Sequence, residues 1–365
     1  MLMRAVLIAN HSPGLERGSP ARPGCLDRLV DRSWLQHAIE QLCAGGVLSV
    51  DVLAGEGAPQ IFEALRDGER WGVSIRCHRL DAGRDVHGAL GHLRAEPDLL
   101  LADATAIVAA THWRSGGQAR TSVTLYHHAR LHGGEIKLEW TGWCRGPSRA
   151  VLDAAAHASR TDALASLLDG DAAVSSMVCQ ALSAHTAEQL LDANHAVLTR
   201  RAAFVSPRGK PGPDGIWRGR SVKIHPTARL VEPVYVGDHA EVGPGAVLGP
   251  NVVLGDGCIV EGGARARNCA ISPATYVGAS VSCERVLELG PHGYWCAGPR
   301  GSLVPCAARL VDLRGISISS VVRRFTRFVL GGLASALSGY AHAAASWLDR
   351  TVRSSGGTSC NSVPR

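Results

Sequence analysis

The chain has 365 residues, 45% of them hydrophobic and 19% charged, with a formal net charge of +6; this is the composition of a folded chain long enough for two or three domains. Lysine occurs only at Lys137, Lys210 and Lys223, and no basic tract with interleaved aromatics is present, which argues against nucleic acid as a partner. Eleven cysteines at irregular spacing, none in a CxxC pair, point to reduced thiols in a cytoplasmic protein rather than to a disulfide framework or a zinc site. The start, Met1 to Asn10, lacks the apolar segment and cleavage site of a signal peptide.

Ala5 to Ala9 reads as a buried strand, followed by a Gly-, Pro- and Ser-rich loop from Asn10 to Gly24. A helix follows, with Trp34, Leu35, Ala38, Ile39 and Leu42 on one face, Ser33 as N-cap, and Gly45 and Gly46 ending it. Val47 to Leu53 reads as a strand, Ala58 to Arg66 as a helix, Val73 to Arg79 as a strand, Val86 to Arg94 as a helix, and Asp98 to Ala102 as a strand. Strands alternating with helices predict a doubly wound, parallel α/β sheet with its site at the carboxyl ends of the strands. The loop from Asn10 lies at the first such end.

The run from Leu7 to Leu53 resembles the start of the sugar-1-phosphate nucleotidyltransferase family, which makes NDP-sugars from NTP and sugar 1-phosphate. Further segments extend the resemblance: "DGERWGVSIR" (67 to 76), "HGALGHL" (87 to 93), "DLLLADA" (98 to 104) and "HTAEQLLDANHAVL" (185 to 198). The resemblance implies a Rossmann-like nucleotidyltransferase domain over residues 1 to 205. In the family a phosphate oxygen of the sugar phosphate attacks the α-phosphorus of the NTP. The meeting of two polyanions is made tolerable by a glycine-rich loop, an arginine in that loop, a lysine in a Pro-Lys-Pro, and Mg²⁺ held by two aspartates.

Those positions are altered in this chain. Asn10, Ser12 and Pro13 stand where the family loop has Gly, Gly and Thr. Gly14 replaces the loop arginine, and Arg17 falls at the following proline. In "RPGCL" (22 to 26) Gly24 takes the place of the lysine, leaving Arg22 beside it. Asp103 matches the first metal aspartate, whereas the second falls near Ser183. Asn10, Ser12, Gly14, Arg17, Arg22 and Gly88 are therefore the candidates for contact with nucleotide or sugar phosphate, and Asp103 is the candidate metal ligand. Asp103 also has a structural alternative, capping the turn that follows its strand; the alternative for Gly88 is close packing of a helix on the sheet.

Losing an arginine, a lysine and a metal ligand that stabilise the same developing charge should cost on the order of 2 to 4 kcal/mol each. The resemblance thus implies a catalytically impaired nucleotidyltransferase-like protein of nucleotide-sugar or surface-polysaccharide metabolism. Such a protein would bind nucleotide or nucleotide-sugar, or assemble with an active paralogue. The alternatives are an active Mg²⁺-dependent enzyme using arginines in place of the lysine, an acyltransferase, and a pure assembly scaffold.

Between 105 and 180, Thr121 to His127 and Ile136 to Trp143 alternate like strands, and the adjacent His127 and His128 read as surface residues on opposite faces. The alanine-rich stretch from Arg149 to Leu191 reads as helices. Residues 206 to 221 form a Pro- and Gly-rich linker.

From Ile224 an aliphatic residue returns every sixth position, at Leu230, Val236, Val242, Leu248, Leu254 and Val260, with Gly following at 237, 243, 249 and 255. This period predicts a left-handed parallel β-helix of hexapeptide turns over 222 to 313, with a one-residue slip near Asn268. The β-helix is expected to mediate homo-oligomer formation or assembly with the paralogue. His225 and His239 are the candidate bases for acyl transfer.

Residues 314 to 353 read as an amphipathic helical segment. No Asp, Glu, Lys or Arg occurs from 328 to 348, so 320 to 350 could contact a membrane surface, a partner or the chain's own β-helix. The tail from 354 to 365 is polar and expected to be disordered.

Overall fold

The computed structural model describes residues 3–9, 24–55, 57–80, 86–114, 121–132, 134–157, 159–183, 187–209, 211–288, 294–297, 303–305 and 310–312. The fold is that of the unit Met1–Val311. Its first part runs β1 (Met3–Ile8), β2 (Arg28–Leu29), β3 (Arg32–Ser33), α1 (Trp34–Ala44), β4 (Val47–Ala54), α2 (Ala58–Leu65), β5 (Ser74–Arg79), α3 (Val86–Ala89), β6 (Leu99–Asp103), β7 (Ala106–Val108) and α4 (Thr111–Arg114). It continues with β8 (Ser122–His132), β9 (Glu135–Gly146), α5 (Ser148–Ala155), α6 (Arg160–Asp169), β10 (Ala173–Val178), β11 (Ala181–Ser183) and α7 (Ala187–Leu198).

Seven of these strands make one sheet in the order β10-β8-β9-β6-β1-β4-β5. β6, β1, β4 and β5 are parallel, as their alternation with helices requires. β9 enters antiparallel to both β6 and β8, and β10 lies parallel to β8, so the sheet is mixed rather than wholly parallel.

Side-chain alternation sends Ala5, Leu7 and Ala9 to one face, where Leu35, Ile39 and Leu42 of α1 and Ile61 and Leu65 of α2 cover them. Val6 and Ile8 go to the other face, under Val86 and Val151, Leu152 and Leu167 of α3, α5 and α6. The sheet is covered by helices on both sides. α1 begins as its sequence dictates, with a reciprocal cap: Gln36 N donates to Ser33 Oγ at 3.2 Å and Ser33 N donates to Gln36 Oε1 at 3.3 Å.

Three stretches differ from their sequence reading. The helix expected over Val86 to Arg94 is two short pieces, α3 and a 3₁₀ turn at Gly91–Leu93, because Gly88 and Gly91 both weaken a continuous helix. The alanine-rich stretch holds two strands, β10 and β11, between helices. His127 and His128 are half-buried rather than on the surface, and burial lowers the His128 pKa.

The second part is the left-handed parallel β-helix that the six-residue period implies. One face stacks Ile216–Arg218, Val234–Val236, Val252–Leu254, Cys269–Ile271 and Val286–Glu288. The second stacks Lys223–Ile224, Glu241–Val242, Ile259–Val260 and Thr275–Val277, and the third Arg229–Leu230, Val247–Leu248, Arg265–Arg267 and Ser282–Glu284. The ladder starts at Ile216, inside the stretch the sequence assigns to a linker.

Val236, Val242, Leu248, Leu254 and Val260 fill the prism together with Ala240, Ala246 and Cys258. At one corner a Cβ on Gly237 would lie 2.6 Å from the backbone N of Asp256, so the coils can stack there only on glycine. The predicted slip is present: Leu248 stacks on Ala266, but Val252 stacks on Cys269, one residue closer along the chain, after a left-handed Asn268. Beyond Glu288 the ladder turns antiparallel, at Tyr294–Ala297 and Leu303–Pro305.

The first face of the prism also points apolar residues outward. Trp217, Tyr235, Val253 and Leu287 are buried against Leu190, Leu191, Val197 and Leu198 of α7 and against Leu29 and Trp34. The α/β part and the β-helix therefore share a core. Among the described residues no helix is long and apolar enough to cross a membrane; the segment read as an amphipathic helix, 314 to 353, lies outside the described residues.

Candidate functional site

The carboxyl ends of β1, β4 and β6 converge: Ala9 N donates to Leu53 O at 2.8 Å and Ala104 N to Ile8 O at 2.9 Å. Asp103 closes β6 at this point with 2% of its surface exposed. Its Oδ1 accepts from Thr105 N at 2.8 Å and from Thr105 Oγ1 at 2.7 Å, which is the turn-capping geometry of an aspartate after a strand. Its Oδ2 accepts from Arg160, at 2.7 Å from Nη2 and 3.2 Å from Nε, and the same Nη2 reaches Thr105 Oγ1 at 3.0 Å. Arg160 opens α6, so α6 delivers a fixed guanidinium to the end of the sheet.

The space around Asp103 is made by Gly142 and Trp143 of β9. A Cβ on Gly142, whose φ is +81°, would lie 2.7 Å from Asp103 Cβ. The Trp143 indole donates to Asp103 O at 3.0 Å and to Ala106 O at 3.1 Å, fixing the turn from the backbone side. Trp143 is held in turn by Trp113, with ring centroids 5.1 Å apart.

At the place of the second expected carboxylate, Ser183 is 6% exposed and its Oγ and carbonyl O accept from Arg130 Nη2 at 2.7 and 2.6 Å. Ser183 pairs with Ala106 across β11 and β7. Mg²⁺ needs several free oxygens at about 2.1 Å in an octahedral shell. Here one carboxylate already faces a guanidinium and the other position is a serine already accepting from another, so this donor set does not fit a divalent cation. Among the described residues no group of three or more His, Cys, Asp or Glu could hold a metal ion.

Of the other candidates, Gly88 is exposed in α3, so it is not pressed against the sheet. Asn10, Ser12, Gly14, Arg17 and Arg22 lie outside the described residues. In the β-helix, His225 Nδ1 is 2.8 Å from Thr227 Oγ1 of its own turn, and His239 sits at a left-handed corner with φ +58°.

Arg160 and Arg130 carry no signal in the sequence, because an arginine in an alanine-rich run or a strand makes no pattern. A second buried group has a visible one. Asp51 interrupts the apolar strand Val47 to Leu53 and is fully buried. Its Oδ1 is met by His78 Nε2 at 2.7 Å and by His92 Nε2 at 3.2 Å. The two imidazoles stack 6.3 Å apart over the outer half of the sheet.

These features define a two-part chain: a mixed α/β domain covered by helices on both faces, with a carboxylate at the carboxyl ends of its strands, followed by a hexapeptide β-helix. The family model for bacterial transferase hexapeptide (six repeats) matches residues 233–268, which lie within the ladder. Among solved structures, the chain is similar to one assigned as a glucose-1-phosphate thymidylyltransferase from Bacillus anthracis, in complex with a sucrose. The identity is 15%, covering 57% of this chain and 98% of that one, with a TM-score of 0.40. No curated protein matches it.

Proposed function

We propose that the α/β domain is a nucleotidyltransferase-like module of nucleotide-sugar or surface-polysaccharide metabolism that binds nucleotide or nucleotide-sugar without Mg²⁺ and has lost most nucleotidyl transfer. The observation that carries this reading is the Asp103–Arg160 pair. A guanidinium 2.7 Å from the carboxylate neutralises the charge that would draw a dication, and a dication entering there would meet a fixed like charge. The absence of any lysine before Lys137 supports the same reading, since transfer to the α-phosphorus depends on several cations acting together.

The test is incubation of the full-length protein with NTPs and hexose 1-phosphates, with and without Mg²⁺, measuring pyrophosphate, and calorimetry with NDP-sugars. The expected outcome is no pyrophosphate above background and saturable NDP-sugar binding that EDTA leaves unchanged. Mg²⁺-dependent pyrophosphate release abolished by Asp103→Ala would instead establish an active enzyme. No NDP-sugar binding at all would leave the scaffold alternative.

A further inference from the structure

β10 is one edge of the seven-stranded sheet and β5 is the other, and the two are guarded unequally. β5, Ser-Ile-Arg-Cys-His-Arg, carries Arg76 and Arg79, charges of the kind that keep a free edge from pairing with another chain. β10, Ala-Val-Ser-Ser-Met-Val, carries no charged residue, no proline and no glycine. Five of its six residues are exposed, Met177 and Val178 to 39% and 56%.

The backbone of this edge can be oriented. Cys179 N donates to His127 O of β8 at 2.9 Å. By the two-residue alternation of a strand, the N–H and C=O groups of Val178, Ser176 and Val174 face away from β8. Among the described residues nothing pairs with them.

We propose that this edge is a docking surface for β10 of a second copy of the chain, antiparallel about a two-fold axis through Ser176. A two-fold interface must be complementary to itself. An edge-to-edge pair whose axis is perpendicular to the sheet must centre on a residue, so that each side chain stays on its own face. Centred on Ser176, the register sets Ser176 against Ser176 and Val174 against Val178.

These are the same three residues whose backbone groups point outward, and their sequence, Val-x-Ser-x-Val, reads alike in both directions. The pairing would form about six backbone hydrogen bonds. Because the strand is uncharged, the symmetry places no like charges opposite one another. Apolar surface on the same face of the sheet continues the patch: Val178 is level with His127, which pairs with Trp140, and farther along the β8–β9 hairpin lie Leu138 and Ile136, 54% and 73% exposed.

The test uses the full-length chain in analytical ultracentrifugation over a concentration series, comparing wild type with Ser176→Lys. It also uses Ser176→Cys under mild oxidation, with the cross-linked peptide identified by mass spectrometry. At the axis the two Cα atoms would stand about 5.5 Å apart, within the range a disulfide spans. The expected result is a wild-type dimer, association weakened roughly 100-fold or more in Ser176→Lys by two facing ammonium groups, and a disulfide joining the two thiols introduced by Ser176→Cys.

A wild-type monomer would overturn the proposal. So would a dimer of unchanged affinity in Ser176→Lys, which would place the contact elsewhere. Should Ser176→Lys fail to fold, the Ser176→Cys cross-link decides: its absence overturns the proposal. Amide-exchange protection of Val174, Ser176 and Val178 in a monomeric species would show that the chain's own residues cover the edge, and would also overturn it.

Discussion

Asp103 has 3% of its side chain exposed and Arg160 has 21%, so removing either one breaks a largely buried, hydrogen-bonded ion pair. Asp103→Ala should lower unfolding stability by about 3 kcal/mol or more. Arg160→Ala should act in the same direction, and the double variant should cost clearly less than the sum of the two. Urea unfolding of the four proteins measures the coupling, and strict additivity would show that the pair is not a unit.

His112, His128 and His195 all have pKa values lowered from 6.5, burial being the largest cause at each. In the unfolded chain these imidazoles protonate near 6.5, while the folded chain resists until lower pH. Stability is therefore complete above about pH 7 and falls as the pH drops through 6.5 toward the folded values. The thermal midpoint should fall between pH 7.5 and 5.5, and His128→Gln should flatten that slope; an unchanged slope would exclude His128 as a contributor.

At the level of the element, legibility follows periodicity. α1 is readable to its cap because Trp34, Leu35, Ala38, Ile39 and Leu42 mark one face and Ser33 and Gly45 mark its ends. The coils are readable because every sixth residue must fill a narrow prism, and even the slip at Asn268 shows as a broken period. β10 is not readable: its pairing with β8 comes from tertiary contact, and Ala173, Ser175 and Ser176 have no strong local preference for strand. The site is legible only in part. Asp103 stands out as an aspartate ending an apolar strand, whereas its partner Arg160 arrives from a helix more than fifty residues away, which no local pattern reveals.

For the whole molecule, the shared core between α7 and the outward face of the prism predicts unfolding as one unit. Tyr235 is 2% exposed within it. Tyr235→Asp would bury a carboxylate among apolar groups and should separate one thermal transition into two, recorded by far-UV circular dichroism and tryptophan fluorescence. A single transition shifted downward would instead mean that the two parts remain coupled through other contacts.

The same seam has a mechanical meaning. Trp217, Tyr235, Val253 and Leu287 come from separate rungs of one ladder, and adjacent strands in a ladder lie about 4.8 Å apart. The β-helix is thus joined to the α/β domain at several points along its axis, through one buried cluster with α7, Leu29 and Trp34, and not by residues 206 to 215 alone. Force applied to the prism is therefore shared among several rungs and passed directly to α7, which spreads the load over the seam.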